Sequence, residues 1–332
     1  MRGEDNIKVS ILVPFYNVEN YVGRCVDSLF SQTYENIEYI FVNDCSPDKS
    51  MEIIYGKMED YHISEKCKMI VHERNMGISA SRNDCLDNIS GDYFLFVDSD
   101  DYIEKDMVEL MVAAASKDNA DIVGCGYVEE FPDRHVEYPQ KYTNDHVEMM
   151  KAITMLTIKG VLWKLLVNTK ILKEHPEIRF DPANNMGEDY LFCCQLFYYA
   201  KTFASVDKCL YHYVQYNPNN VTKTTVHNVE CQAFAIREVE RFYREKGVYD
   251  LLQDELLKRK FICKLPLLLD KNCRDVQRWR DIFPESNDVW KRIEFPVGNL
   301  LVFYLVTSDF SMIGRLLLRL RCFLRDLHLI FY

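Results

Sequence analysis

Short, unbroken apolar runs recur through the first third of the chain: VSILVP (9–14), IEYIFVN (37–43), KMIVHE (68–73), DYFLFVD (92–98) and ADIVGCGYV (120–128). Strands covered on both faces read this way, because neither face has to meet water. Between them the apolar period lengthens. Val18, Tyr21, Val22, Cys25, Val26, Leu29 and Phe30 recur at helical spacing behind Asn17, which the pattern predicts as a helix cap, and 78–89 and 105–116 carry weaker versions of the same pattern. Strands alternating with helices predict an α/β fold built on a mostly parallel sheet flanked by helices.

From about residue 130 the rhythm changes. FPDRHVEYPQKYTND (131–145) is polar and broken by prolines, so it is predicted as a long loop or crossover. Helical stretches follow at 144–159 and 187–201, then a strand-like CLYHYVQY (209–216), then helices from about 226 to 270. These shifts suggest one domain over 1–225 and a helical C-terminal region over 226–332. The last stretch, MIGRLLLRLRCFLRDLHLIFY, interleaves Arg315, Arg319, Arg321 and Arg325 with leucines and aromatics. Such a basic amphipathic helix either lies on an anionic membrane surface or packs its leucines on neighbouring helices and leaves its arginines in water.

Composition narrows the partners. The 332 residues carry a formal net charge of -11, which argues against nucleic-acid binding because a phosphate-tracking protein needs a basic face. Twelve cysteines without a CxxC pair read as reduced thiols of a cytoplasmic protein. MRGEDNIKVS is acidic and lacks an apolar core, so no signal peptide is expected. The apolar run from Val297 to Val306 is about half of the ~20 residues that span a bilayer. The expectation is a soluble chain or one peripheral on the inner face of the membrane.

The unusual residues gather where open α/β sheets bind ligands, at the carboxyl ends of the strands. Pro14, Phe15 and Tyr16 follow the first strand, Asn43 and Asp44 the second, Asn75 and Gly77 the third, and Asp98, Ser99 and Asp100 the fourth. In FLFVDSDDYI an apolar run ends in Asp98, Asp100 and Asp101, and three carboxylates this close call for a positive charge. Asp98 and Asp100, two apart, would face the same way in a continued strand. Paired hard oxygens suit Mg²⁺ or Mn²⁺ completed by waters and substrate phosphates, whereas a bare DxD is more often a solvated acidic turn. Neither GxxxxGK[ST] nor a GxGxxG after the first strand is present.

Four blocks in order change that weighting: VSILVPFYNVENYVGRCVDSLFSQTYENIEYIFVNDCSPDKS, NMGISASRNDCLDNISGDYFLFVDSDDYI, WKLL and MGEDYLF. Together, over about residues 7–215, they resemble a family 2 glycosyltransferase with the GT-A (Rossmann-like) fold. The resemblance implies a nucleoside-diphosphate-sugar donor, UDP before others, a divalent metal, and transfer with inversion to a saccharide or lipid-linked saccharide acceptor. Carried over, Pro14, Phe15, Tyr16 and Asn75 border the nucleotide pocket, Asp44 accepts from the base, and Asp98, Ser99 and Asp100 form the DxD motif. The family usually has Asp where this chain has Asn43 and Gly where it has Cys45.

An acceptor hydroxyl needs a base to take its proton. MGEDYLF offers Glu188 and Asp189 at a helix start, where acids also serve merely as complements to the helix dipole; the resemblance favours Asp189 as base with Glu188 as neighbour or substitute. His212 is a further candidate ligand for the metal or diphosphate, set against a structural role in its strand. Trp163 and Lys164 are candidates for the acceptor side or the core, Arg82 and Asn83 for the site or for bracing a helix, and Lys223 for a phosphate contact. Two other functions compete: Mg²⁺-dependent phosphoryl transfer through the same aspartates, and a non-catalytic nucleotide-sugar-binding module.

Overall fold

The computed structural model describes residues 7–182, 187–217, 225–270, 273–293, 303, 304 and 307. Lys223 and the arginine-rich stretch from 312 lie outside them. The described chain divides into two compact units, one of residues up to 153 with 157–220, the other of 154–156 with the residues from 221 onward.

The first unit is built on one nine-stranded sheet: β1 (Val9–Phe15), β2 (Ile37–Asn43), β3 (Cys67–Val71), β4 (Tyr93–Phe96), β5 (Tyr102–Ile103), β6 (Ile122–Glu130), β7 (His135–Tyr138), β8 (Leu165–Asn168) and β9 (Phe203–Val214). Their order is β3-β2-β1-β4-β8-β6-β9-β5, with β7 paired to β6 outside this path. β1 runs parallel to β2 and β4, and β2 to β3. The helices are α1 (Val22–Phe30), α2 (Ser50–Asp60), α3 (Ile78–Asp87), α4 (Met107–Asp118), α5 (His146–Met155), α6 (Lys170–Glu174) and α7 (Glu188–Tyr199). β1 is buried at every position, as an apolar run covered on both faces requires, and α1 turns Val22, Cys25, Val26 and Leu29 inward.

Beyond β4 the sheet is mixed. β8 runs antiparallel to both β4 and β6, and β5 antiparallel to β9, while β6 and β9 form a long parallel pair. The register of that pair shifts on either side of Gly126, where an added Cβ would stand 2.8 Å from the Cys209 sulfur. The bulge therefore needs glycine. Two sequence expectations change here. Asn17 is not the cap of α1: it sits at φ 55°, and the helix starts only at Val22. The polar 131–145 stretch contains β7, which closes a hairpin on β6 with Glu130 opposite His135.

The second unit is helical where described, with α8 (Val226–Glu245), α9 (Tyr249–Lys264), α10 (Pro266–Leu269) and α11 (Val276–Asp281). The Thr225 side chain caps α8 by accepting from the Asn228 N–H at 3.1 Å. Lys264 is fully buried at the end of α9, and its ammonium donates to the carbonyls of Ile282 and Phe283, each at 2.8 Å, just past α11. Burial pulls its pKa down to about 7. Among the described residues no helix is long and apolar enough to cross a membrane.

Candidate active site

The loops leaving β1, β2, β3 and β4 meet at one edge of the sheet and are tied to one another. Asn17 N–H donates to Ser46 Oγ at 2.7 Å and Val18 N–H to Ser50 Oγ at 3.1 Å, joining the first loop to the second. Pro14 and Phe15 are still within β1, with the Phe15 ring in the hydrophobic core, so it can support a pocket wall but not line it; Tyr16 is half exposed beside it. Asn75 is exposed on the third loop.

Asp44, at the end of β2, is buried and already busy. Its Oδ1 accepts from Met76 N–H at 2.7 Å and lies 2.7 Å from His72 Nδ1, while its Oδ2 accepts from Gly77 N–H at 2.8 Å. Gly77 stands at φ 88°, a conformation that favours glycine and lets its N–H turn toward the carboxylate before α3 begins. Next to Asp44, Asn43 accepts from Ser46 N–H at 2.7 Å, and Cys45 adopts φ 59°. The turn thus holds the left-handed geometry for which the family's usual glycine is suited, and the chain tolerates a side chain there.

β4 does not continue into the acidic stretch. It stops at Phe96, and residues 98–101 form a tight turn closed by Asp101 N–H donating to the Asp98 carbonyl at 3.0 Å. The three carboxylates consequently part company. Asp98 leans on Arg82 at 3.4 Å. Asp100 Oδ2 accepts from Asn217 Nδ2 at 2.8 Å, and burial and then Asp98 raise its pKa against that hydrogen bond. Asp101 is turned wholly inward, where it accepts from the Tyr211 hydroxyl at 2.7 Å and from Val214 N–H at 2.8 Å. Burial, then Asp100 and Asp98, hold its pKa well above the usual carboxylate range. Tyr211 Oη also accepts from Asp98 N–H at 3.1 Å. Asp101 therefore serves to fasten the turn to β9, and Ser99 is buried within the turn.

Part of the missing positive charge is Arg82. It projects from α3, is 4% exposed, and donates through Nη1 to Glu188 Oε1 at 2.7 Å and to Asp189 Oδ1, with Nη2 facing Asp98. Phe96 and Phe180 wall the guanidinium at 5.8 and 5.5 Å from their ring centroids, and Phe180 stacks on Phe192 of α7 at 4.2 Å. Asn83, next along α3, donates to and accepts from the backbone of Phe180, fixing that wall. One guanidinium among three carboxylates leaves excess negative charge. Burial raises the Asp189 pKa, Arg82 opposes it, and Glu188 and Asp98 add to the rise; the net direction is upward because the group is buried and one cation cannot neutralise three acids. The result is a carboxylate at the first turn of α7 with increased proton affinity.

His212 does not join this cluster. Its Nδ1 lies 2.8 Å from Glu130 Oε1 and its Nε2 2.9 Å from Glu104 Oε1, and its ring stacks on Tyr102 at 4.2 Å. Both nitrogens are committed, so the expected metal-ligand role is corrected to a brace between β5, β6 and β9. Trp163 is core: it stacks on Tyr211 at 4.2 Å and meets Tyr127 edge-on at 5.2 Å. Lys164 is fully buried, donates to Tyr142 Oη at 2.5 Å, and has its pKa pulled down to about 7 by burial. It faces the interior and not an acceptor.

Asp98 and Asp100 remain the hard-oxygen pair. Asp98 is partly exposed, and Asp100 is buried beside it, where burial first and then Asp98 raise its pKa. Among the described residues no group of three or more His, Cys, Asp or Glu is placed to hold a metal. Two carboxylates without a protein cage fit Mg²⁺ or Mn²⁺, which commonly binds through one or two carboxylates, waters and substrate phosphates.

The model of glycosyl transferase family 2 matches residues 10–170. The chain is 31% identical over 285 residues to the uncharacterized glycosyltransferase EpsJ of Bacillus subtilis (strain 168), across 82% of this chain and 80% of that one. It belongs to glycosyl transferase family 2. A poly(ribitol-phosphate) beta-glucosyltransferase of Bacillus spizizenii is 32% identical over 216 residues, across 63% of this chain and 32% of that one. Staphylococcus aureus TarS 1–349, solved in complex with UDP-GlcNAc, aligns with a TM-score of 0.69 at 22% identity over 94% of this chain and 91% of that one, which shows the shared GT-A fold. The family 2 chain described here is a glycosyltransferase, and the phosphoryl-transfer and binding-module readings give way to sugar transfer.

Proposed function

We propose that this enzyme transfers a sugar from a UDP-sugar to a hydroxyl of a saccharide or lipid-linked saccharide, with inversion at the anomeric carbon and with Asp189 as the general base. One observation supports the reading most: Arg82 brings Asp98, at the end of β4, and Glu188 and Asp189, at the start of α7, onto a single guanidinium. The residues proposed for the diphosphate side and for the acceptor side thus meet on one side chain.

Asp189 keeps Oδ2 beyond its contact with Arg82, its raised proton affinity suits it to take a hydroxyl proton near neutral pH, and Glu188 shares the guanidinium. Arg82 keeps both carboxylates oriented, so the acceptor oxygen would meet a fixed base. Asp44, and the loops carrying Tyr16 and Asn75, would receive the nucleoside. Asp98 and Asp100 would hold Mg²⁺ or Mn²⁺, whose chemistry when bound is to offset charge on the departing diphosphate. The solved complexes of similar fold include TarS with UDP-GlcNAc and a Pyrobaculum calidifontis mannosyltransferase with GDP-Man and Mn²⁺. These describe their own ligands and make a nucleotide-sugar and a divalent ion the first to test.

The test is a thermal-shift panel of nucleoside diphosphates with and without Mn²⁺. A ligand at 100 times its Kd should stabilise the fold by about 2.7 kcal/mol. UDP with Mn²⁺ should shift the transition furthest, and Asp100→Ala should remove the Mn²⁺-dependent part. A shift by no uridine nucleotide would overturn the donor assignment.

A further inference from the structure

Resting on the donor reading above, we infer that His72, sandwiched between Asp44 and Asp84, is a positioning residue that fixes the charge and direction of Asp44 and thereby selects a base carrying an N–H at its recognition edge. His72 follows β3 and is buried, with Nδ1 2.7 Å from Asp44 Oδ1 and Nε2 2.7 Å from Asp84 Oδ2. An ionised carboxylate only accepts, so satisfying both contacts requires a proton on each ring nitrogen. The ring is then an imidazolium, and the charged groups that face it are Asp44 from the end of β2 and Asp84 from α3. Burial disfavours that charge, but the two hydrogen bonds outweigh it and raise the His72 pKa.

The consequence falls on Asp44. Its Oδ1 is filled by His72 and Met76 N–H, and its Oδ2 receives Gly77 N–H. A carboxylate offers about four acceptor positions, so one direction on Oδ2 is left. A carboxylate held by an imidazolium and two backbone N–H donors presents that direction as an acceptor. Uracil offers an imide N–H there; cytosine offers a bare ring nitrogen, which an ionised oxygen repels and a protonated carboxyl could instead satisfy. His72 would therefore set uracil against cytosine without touching either.

The experiment is calorimetric titration of UDP and CDP, with Mn²⁺, into wild type, His72→Gln and Asp84→Asn. Asp84→Asn leaves Asp44 and His72 in place and removes only the outer carboxylate, which keeps the test open if His72→Gln folds poorly. Wild type should favour UDP, and both variants should lose about tenfold or more of UDP affinity while CDP changes less. Wild-type UDP affinity should also fall as pH rises through the His72 pKa, and selective ¹⁵N-histidine spectra should show both ring nitrogens protonated at pH 7. UDP binding by wild type with no loss in either variant, or a neutral His72 at pH 7, overturns this inference alone. Failure of wild type to bind any uridine nucleotide overturns the donor reading, and this inference with it.

Discussion

Replacing Arg82 by Met would keep much of the side chain's bulk against Phe96 and Phe180 and delete the charge that Asp98, Glu188 and Asp189 share. Breaking a buried ion pair by removing one partner typically costs about 3–5 kcal/mol, because the other charges are left buried and unpaired. At roughly 2.1 cal/mol/K per residue of unfolding entropy, a chain of 332 residues should lose on the order of 4–7 °C in Tm. The loss should depend on pH with a definite sign. Burial already raises the Asp189 pKa against Arg82, and without Arg82 it should rise further, so the folded variant binds more protons than the unfolded chain and loses stability as pH rises. The wild-type-minus-variant difference should accordingly be largest at pH 8 and shrink toward pH 5, where Asp189 can protonate. Arg82→Lys, a point charge without the planar fork, should fall between the two. Urea unfolding at pH 5, 6.5 and 8 reads this directly. A Met variant as stable as wild type at pH 8, or a deficit unchanged across that range, would refute the placement of Arg82 as the shared counter-charge.

Three further outcomes follow from the same geometry. Asp189→Asn should cut turnover by about 10²- to 10⁴-fold, the usual span of general-base catalysis, with UDP affinity unchanged in calorimetry. His212→Ala should leave Mn²⁺ affinity near wild type while Asp100→Ala lowers it, read by metal titration in the presence of UDP; the opposite ranking would return His212 to the metal site. Cys45→Gly should stabilise by about 0.5–1 kcal/mol in urea melts, since relief of a left-handed backbone strain of about 1–2 kcal/mol exceeds glycine's entropy cost.

The sheet's first four strands were readable because each is a continuous apolar run that needs no partner to be recognised. β7 and β8 were not. β7 hides among prolines and charges and exists through its pairing with β6, and β8 is only four residues long, set by pairing with β4 and β6. α2 escaped because it buries little beyond Ser50, Ile54 and Met58. Within the site, Asp98, Asp100, Glu188 and Asp189 were legible as acids at element ends. What held them was not, since Arg82 meets partners from two distant segments and nothing in ISASRND states which way it points. His72 carried a faint signal, a titratable side chain closing an apolar strand, but its two aspartates lie on different elements. Nothing in the sequence set Asp101 apart from its two neighbours, because its inward turn depends on Tyr211 and Val214, more than a hundred residues later. His212 misled for the same reason: its polar partners, Glu104 and Glu130, arrive only when β5 and β6 flank β9.

The most direct check of sugar transfer by an Asp189 base is the configuration of the first product. With an α-linked UDP-sugar and water as the acceptor, proton NMR can follow the released sugar before mutarotation. Wild type should release the β-anomer, and Asp189→Asn should bind UDP yet release sugar at least a hundredfold more slowly. Release of the α-anomer, or undiminished turnover by Asp189→Asn, would contradict the mechanism.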